Sequence, residues 1–363
     1  MCAVAVFDSA SLPLVEEMYA KFTSDPNSVD PEWKAYFLGW QAGGSLAGEG
    51  GTGDGKDVGR FKYAEAWRNR GHLAAWINPL NDTAPAVPED LKAATYGLDE
   101  AEAGTFAKVY GSSVGVECGV VRVPAEKAWV QDWWEKEGGT SKPAKEVQLA
   151  LFDGLVRANG LERFLHTKFV GAKRFSVEGN DGIIPLLSQL IEDGARDGVK
   201  HVLMGMAHRG RLNVLCNIMH KPTAELFAAF ADKMTVEGGP SSGDVKYHLG
   251  KVYNAHTASG DVELELMYNP SHLEAVNAMV LGAARAKADL GAGIENVLPI
   301  QIHGDSAVAG LGNVAETNNL MGLPAFHAGG VIHFVLNNQV GFTADPVDAF
   351  AGAYCTDIFK QLG

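Results

Sequence analysis

The residues best suited to chemistry stand at the ends of two short apolar runs. One run, over 298–302, leads into His303-Gly304-Asp305-Ser306-Ala307; the other, over 331–336, leads into Asn337-Asn338-Gln339. Short apolar runs bounded by turn residues read as buried parallel strands. A segment over 313–321 has room for a crossover helix, so the unit reads as strand–helix–strand, with both polar tips on one edge of one sheet. Open α/β sheets bind ligands at that edge. The tips supply an acid at Asp305 and amides at Asn338 and Gln339, with no base that could hold a bare phosphate. Hard oxygen ligands of this kind suit a small divalent cation such as Mg²⁺, bridging to a phosphate-bearing cofactor. A Gly-Asp dipeptide alone is usually an ordinary turn. This one is distinguished by the Asn-Asn pair, whose Asn338 lies 33 positions beyond Asp305 at the end of a second strand. Gly53-Asp54-Gly55 lacks both a preceding strand and a following Asn-Asn, and is read as linker.

Three further polar turns invite a functional reading. Ala207-His208-Arg209-Gly210 follows a run over 201–206 and opens a helix over 211–220. A helix start with Arg209 and Arg211 is an anion or substrate-carboxylate site, or an exposed helix start. Lys246-Tyr247-His248 lies in a glycine-bounded stretch, either a binding loop or a surface loop. Asn269-Pro270-Ser271-His272 follows a strand over 262–267; Asn269 or Ser271 can cap the next helix, and His272 is a candidate proton donor or phosphate contact. His303 either faces the cofactor or is a satisfied histidine at a strand end. His166, His201, His220, His256, His327 and His333 have no chemical company in the sequence and read as structural. No Walker loop, nucleophile elbow or zinc spacing is present.

The elements that position these turns follow from periodicity. Beyond Arg174, strands and helices alternate, which predicts an α/β fold with a mostly parallel sheet covered by helices. Residues 60–170 read as a helical domain. In it, Trp129 and Trp133 lie one helical turn apart and are expected as core anchors. Residues 1–40 read as a helical module, with Leu14, Val15, Met18 and Phe22 at helical spacing and a second helix carrying Tyr36, Phe37 and Trp40. Residues 41–59 are dominated by glycine and read as a flexible tether. Residues 171–363 form the domain that carries the polar turns.

Bulk properties narrow the class. The chain has 363 residues, 46% hydrophobic and 20% charged, with a net charge of −14. That charge disfavours nucleic acid and anionic membranes as partners. No apolar run has transmembrane length, and the N-terminus has neither a signal-peptide nor a transit-peptide pattern. Cys2, Cys118, Cys216 and Cys355 have no paired spacing and read as reduced thiols.

Taken together, the turns resemble the thiamine-diphosphate-dependent first component of 2-oxoglutarate dehydrogenase complexes. The matching segments include Asp25-Pro26-Asn27-Ser28-Val29-Asp30-Pro31, Arg70-Gly71-His72 with Asn78-Pro79-Leu80, Gly111-Ser112-Ser113-Val114-Gly115-Val116-Glu117 and Lys173-Arg174-Phe175-Ser176-Val177-Glu178-Gly179. Others are Met206-Ala207-His208-Arg209-Gly210-Arg211, Gly243-Asp244-Val245-Lys246-Tyr247-His248, Asn269-Pro270-Ser271-His272-Leu273-Glu274, His303-Gly304-Asp305 and Asn337-Asn338-Gln339-Val340-Gly341-Phe342-Thr343. Gly179-Asn180-Asp181 and Gly310-Leu311-Gly312 depart from the family's Gly-Gly-Asp and Gly-Gln-Gly.

The resemblance implies a Rossmann-like thiamine-diphosphate-binding domain, incomplete at its C-terminus, after the helical N-terminal region. It implies Mg²⁺ on Asp305, Asn338 and the Val340 carbonyl. It implies cofactor contacts from Ser271, His272, His303, Gly304, Asp305, Ser306, Ala307, Asn338 and Gln339. His208 and His248 would be catalytic, with Arg209 also on the substrate. The implied reaction is decarboxylation of 2-oxoglutarate and reductive succinylation of the lipoyl group of the dihydrolipoyl succinyltransferase component, in the tricarboxylic acid cycle. Dihydrolipoyl dehydrogenase would complete the complex, and the enzyme would be a homodimer when full length. Family members are far longer, so the chain is expected to be an N-terminal portion lacking the aminopyrimidine-binding domain. The alternatives are a docking fragment without activity and a 2-oxoadipate paralogue, against which Lys246-Tyr247-His248 argues. The expected compartment is a bacterial cytoplasm, or the mitochondrial matrix if the source is eukaryotic.

Overall fold

Beyond residue 174, the alternating apolar and amphipathic segments become a sheet with helices on both faces. The computed structural model describes residues 12–30, 33, 34, 37, 55–101, 103–138, 142–231 and 245–361. The chain divides into two compact units, Met1–Gly119 and Val120–Gly363.

In the first unit, α1 (Leu12–Ser24) buries Phe22, whose ring lies 5.2 Å from that of the buried Phe37. Trp33, Lys34 and Phe37 are helical. The other positions of the expected second helix, and residues 41–54 of the tether, lie outside the described residues. α2 (Gly55–Arg70) begins inside the stretch expected to be tether up to residue 59. Its buried Tyr63 and Trp67 anchor it, and Gly59 serves close packing rather than flexibility. A Cβ at Gly59 would stand 2.5 Å from the Tyr96 carbonyl oxygen. A short α3 (Phe106–Tyr110) follows.

The second unit starts within the stretch expected to be one helical domain. Its first helices are α4 (Pro124–Trp133) and α5 (Lys145–Lys168). α5 belongs here because its buried Glu162 binds Arg174 at 2.9 Å, and Asn213 donates to its Ala158 carbonyl at 2.9 Å. The expected core anchors Trp129 and Trp133 are instead 68% and 47% exposed. The buried indole is Trp134, in the wider turn Trp134–Gly138 that continues α4.

The strands are β1 (His201–Met206), β2 (Lys251–Thr257), β3 (Gly260–Leu266), β4 (Val297–Gly304) and β5 (Ile332–Leu336). Among the described residues they form one sheet in the order β2-β3-β1-β4-β5, parallel except for the β2–β3 hairpin. β2 was not expected from the sequence. α6 (Ile183–Arg196) covers one face with Ile184, Leu187 and Ile191, within a core that includes Val202, Met204, Ile300 and Ile302. α9 (Val276–Lys287) covers the other with Val276, Val280 and Ala284 against Leu203 and Val297. α9 lies so close to β1 that a Cβ at Gly205 would be 2.6 Å from Val280. α7 (Arg211–Asn217) and α8 (Thr223–Phe230) follow β1, while α10 (Asp305–Gly310) and α11 (Gly312–Met321) form the crossover from β4 to β5. The strand–helix–strand unit expected over 298–336 is therefore present.

Candidate functional site

Strand order locates the site. The chain leaves β1 toward β3 on one side and leaves β4 toward β5 on the other, although β1 and β4 are neighbours. Loops that part in this way open a crevice at the carboxyl edge. The loop after β1 holds His208 and Arg209, and the loop after β4 holds Asp305. β2 runs against β3 with Lys251 opposite Leu266, which brings His248 to this edge beside the Asn269–Glu274 turn. The sequence-predicted turns thus converge.

On the β4–β5 side, Asp305 starts α10 and is 2% exposed. Burial pushes its carboxyl above the usual range. The amides of Asp305, Asn338 and Ser306, and the positive charge of Arg209, pull the other way. Asn338 is therefore bonded to Asp305 through its backbone. Its side-chain Oδ1 accepts the Val340 N–H at 3.1 Å, and Gln339 sits at φ 58° with its N–H on Asn337 Oδ1. A Cβ on Gly341 would lie 2.6 Å from Ser306 Oγ, so the loop after β5 rests on the first turn of α10. Asp305 Oδ2 and Ser306 Oγ are buried without a hydrogen-bond partner among the described residues. A buried carboxylate oxygen left in this state is costly unless a ligand completes it. One carboxylate, one amide and nearby carbonyls are a donor set that Mg²⁺ shared with a diphosphate accepts. Among the described residues no group of three or more His, Cys, Asp or Glu side chains gathers as a metal site.

On the β1–β3 side, the rings of His208 and His248 are 5.4 Å apart, and His248 Nε2 lies 3.0 Å from Ser271 Oγ. Phe175 and Tyr247 wall this pair, with centroids 5.0 and 6.0 Å from His208 and 4.9 Å from each other. Tyr247 belongs to the Lys246-Tyr247-His248 stretch read as a binding or surface loop, whereas Phe175 was given no role from the sequence. Phe175 holds φ 47°, and its carbonyl accepts the Gly210 N–H at 2.9 Å, a long-range tie with no local sequence signal. Arg209 donates to the Ser176 carbonyl at 3.0 Å. Arg211 is not at an anion site: it is fully buried and donates to the carbonyls of Leu249, Met206 and Met267. Burial lowers its pKa to about 10, so it stays charged at neutral pH.

Two further expectations give way. Asn269 and Ser271 do not cap α9, which starts at Val276 after Ala275. Glu274 at φ 64° breaks the helix there, and Asn269 Nδ2 donates instead to the Met206 carbonyl at 2.8 Å. His272 is exposed. His303 does not present its ring to a ligand. It is 1% exposed, with Nδ1 2.5 Å from Glu274 Oε2 and Nε2 2.9 Å from His333 Nδ1. His333, read as solitary, is thus the third member of a buried chain, and burial with His303 beside it drops its pKa to about 3. Of the other histidines read as solitary, His201 pairs with Glu263 and His256 with Asp261. Cys118, Cys216 and Cys355 are free and buried, and burial pushes the Cys216 and Cys355 thiols up to about 11.

The sequence matches the 2-oxoglutarate dehydrogenase N-terminus family over residues 6–44 and the dehydrogenase E1 component family over residues 156–360. Curated relatives named 2-oxoglutarate dehydrogenase E1 component are 38% identical in Cupriavidus necator, 36% in Azotobacter vinelandii and 34% in Brucella ovis. Each alignment covers 96% of this chain but only 42%, 42% and 44% of the relative, so the chain spans less than half of their length. The second family match covers the sheet, the crevice and both polar tips, more than half of the chain. With that coverage and the carboxyl-edge geometry, the chain belongs to the dehydrogenase E1 component family.

Proposed function

We propose that the carboxyl-edge crevice is the diphosphate and substrate half-site of a 2-oxoglutarate dehydrogenase. The family's cofactor is thiamine diphosphate with Mg²⁺. When bound, it supplies the carbon nucleophile and electron sink for decarboxylating a 2-oxo acid. Asp305, Asn338 and the Val340 carbonyl would hold the metal. Gly304, Ser306, Ala307 and Gln339 at the β4 and β5 tips, with Ser271 and His272 from the turn after β3, would face the diphosphate, and His303 would contribute only through its backbone and through Glu274. His208 and His248 would bind the 2-oxo acid and hold a proton at its reacting end, with Phe175 and Tyr247 excluding water. Arg209 adds positive charge toward the carboxylates. The whole protein would act on 2-oxoglutarate in the tricarboxylic acid cycle and pass the succinyl group to a lipoyl group on its succinyltransferase partner, docking through residues 1–40. Its proposed compartment is the bacterial cytoplasm; among the described residues no helix is long and apolar enough to cross a membrane.

The observation that carries this reading is Asp305, buried, with one oxygen unpartnered among the described residues and Asn338 bonded to it across two strand tips. Calorimetry of thiamine diphosphate with Mg²⁺, on this chain and on Asp305→Ala, tests it. Mg²⁺-dependent binding that the variant loses supports the half-site. Binding that survives in Asp305→Ala refutes the metal assignment, and a folded wild-type chain that binds nothing refutes a self-sufficient half-site.

A further inference from the structure

Glu274 joins the two sides of the crevice. It lies in the turn after β3, is 7% exposed and holds φ 64°. A left-handed backbone is unfavourable for a residue with a side chain, so the bonds of that side chain must hold it there. Its Oε2 is taken: Asn277 Nδ2 donates to it at 2.9 Å, and His303 Nδ1 lies 2.5 Å away. Its Oε1 is buried without a hydrogen-bond partner among the described residues. A buried carboxyl oxygen in that state calls for a partner from outside the protein.

Glu274 also lines a cavity of about 10 Å³, together with Ala207, His208, Asn269 and Asn277. That volume admits one water and nothing larger. Apolar holes stay dry, but this one is lined by residues with a carboxyl, two amides and an imidazole, enough partners for a buried water. Two residues that line a hole of this size are within reach of the same molecule.

We propose that one buried water in this cavity links Glu274 Oε1 to the ring of His208, which makes Glu274 a positioning residue for that histidine. The inference deepens the functional reading, and rests on it only where that reading puts His208 on the 2-oxo acid. The water donates one hydrogen to Oε1. The carboxylate polarises it, which makes its oxygen a better acceptor for an N–H of His208. A neutral imidazole carries one N–H, and the bond that N–H makes selects the tautomer. The ring nitrogen facing the cavity therefore keeps the hydrogen. The lone pair stays on the other nitrogen, the form in which His208 can take a proton from its substrate.

Glu274→Gln inverts the link. Asn277 Nδ2 holds the amide oxygen at the Oε2 position, so the amide NH₂ takes the Oε1 position and donates into the cavity. The water must then turn its hydrogens toward His208, whose cavity-facing nitrogen becomes the acceptor. Two measurements on the full chain test this. Crystallography of the wild type locates the water and shows which ring nitrogen faces it. Nitrogen NMR of histidine-labelled protein, at alkaline pH where imidazole is neutral, shows which nitrogen carries the hydrogen, with the His208 signals identified by their loss in His208→Asn. The expected result is a water bonded to both Glu274 Oε1 and His208, with the hydrogen on the cavity-facing nitrogen in wild type and on the other in Glu274→Gln. A dry cavity in the wild type overturns the proposal, as does a wild-type hydrogen on the far nitrogen, or a folded Glu274→Gln that keeps the wild-type tautomer. The wild-type results decide the matter if the variant does not fold. A merely structural Glu274 would loosen packing without exchanging the nitrogens. None of these readings involves cofactor or turnover. Absent Mg²⁺-dependent cofactor binding would count against the half-site and leave the water link standing, and a failed water link would leave that binding intact.

Discussion

The two sides of the crevice use polar groups in opposite ways. On the β1–β3 side Arg211 and Asn269 serve the protein itself: Arg211 donates to the carbonyls of Leu249, Met206 and Met267, and Asn269 also donates to Met206. On the β4–β5 side, Asp305 Oδ2 and Ser306 Oγ are buried and spend nothing. Satisfied buried networks rigidify, whereas buried acceptors left over raise the energy of the empty state. One side thus carries a hydrogen-bonded scaffold beside the two histidines, and the other carries the buried oxygens on which the proposed ligand site rests.

The largest effect should come from removing the scaffold's charge. Arg211→Met takes the donor from three carbonyls and is expected to cost on the order of 3–5 kcal/mol in urea unfolding. A loss below roughly 1 kcal/mol would break the comparison, because the β1–β3 side would then not depend on its internal bonds. Asp305→Asn is the opposite experiment. It should weaken Mg²⁺-dependent cofactor binding by ~100-fold or more, yet raise the stability of the empty chain by about 1 kcal/mol at neutral pH. The sign follows from the raised carboxyl pKa. The folded state holds that proton more firmly than the unfolded chain does. The penalty is therefore absent below the unfolded pKa and grows as pH rises through the folded one. The stability gap between variant and wild type should widen with pH, and thermal melts across the acid range measure it.

Much of this contrast was legible in the sequence. The strands read over 298–302 and 331–336, and the helix between them, are present because period and turn chemistry are local, although the first strand runs on through the expected turn to Gly304. Also legible was the placement of Asp305 with Asn338, which follows from a parallel crossover. What escaped reading depends on distant partners. Arg211 was read at an anion site or an exposed helix start, and neither holds, because its acceptors Leu249 and Met267 are far along the chain. His333 looked solitary because His303 reaches it across β4 and β5. Trp129 and Trp133 share a helix face in the sequence, but the wider turn after them buries Trp134 instead. β2 escaped because its exposed Val252 and half-buried Tyr253 form an edge strand with a weak pattern.

A smaller effect separates the two sides further. Asn269→Ala removes the 2.8 Å bond to the Met206 carbonyl and loosens the turn that holds Ser271 against His248. It should cost about 1–2 kcal/mol. Its functional effect should fall on 2-oxo acid binding, with Mg²⁺-dependent cofactor binding changed less than ~3-fold. Parallel titrations of cofactor and 2-oxoglutarate check this. Equal losses of both would mean that the two sides are one unit.

The smallest predicted effect bears on how the receptor side is shaped. The Cβ of Gly341→Ala would stand 2.6 Å from Ser306 Oγ, but the obstructing atom is a hydroxyl that can rotate away. Stability should therefore change by no more than ~0.5 kcal/mol. Rotation removes the hydroxyl from the place where it is now held unpartnered, so cofactor binding should fall ~3–10-fold. Ser306→Ala should weaken binding by a similar amount. If Gly341 acts by keeping that hydroxyl in position, the double variant is no worse than either single one, since the same bond cannot be lost twice. Additive losses would instead mean that the loop after β5 contacts the ligand through its own backbone, and that the receptor extends beyond the first turn of α10.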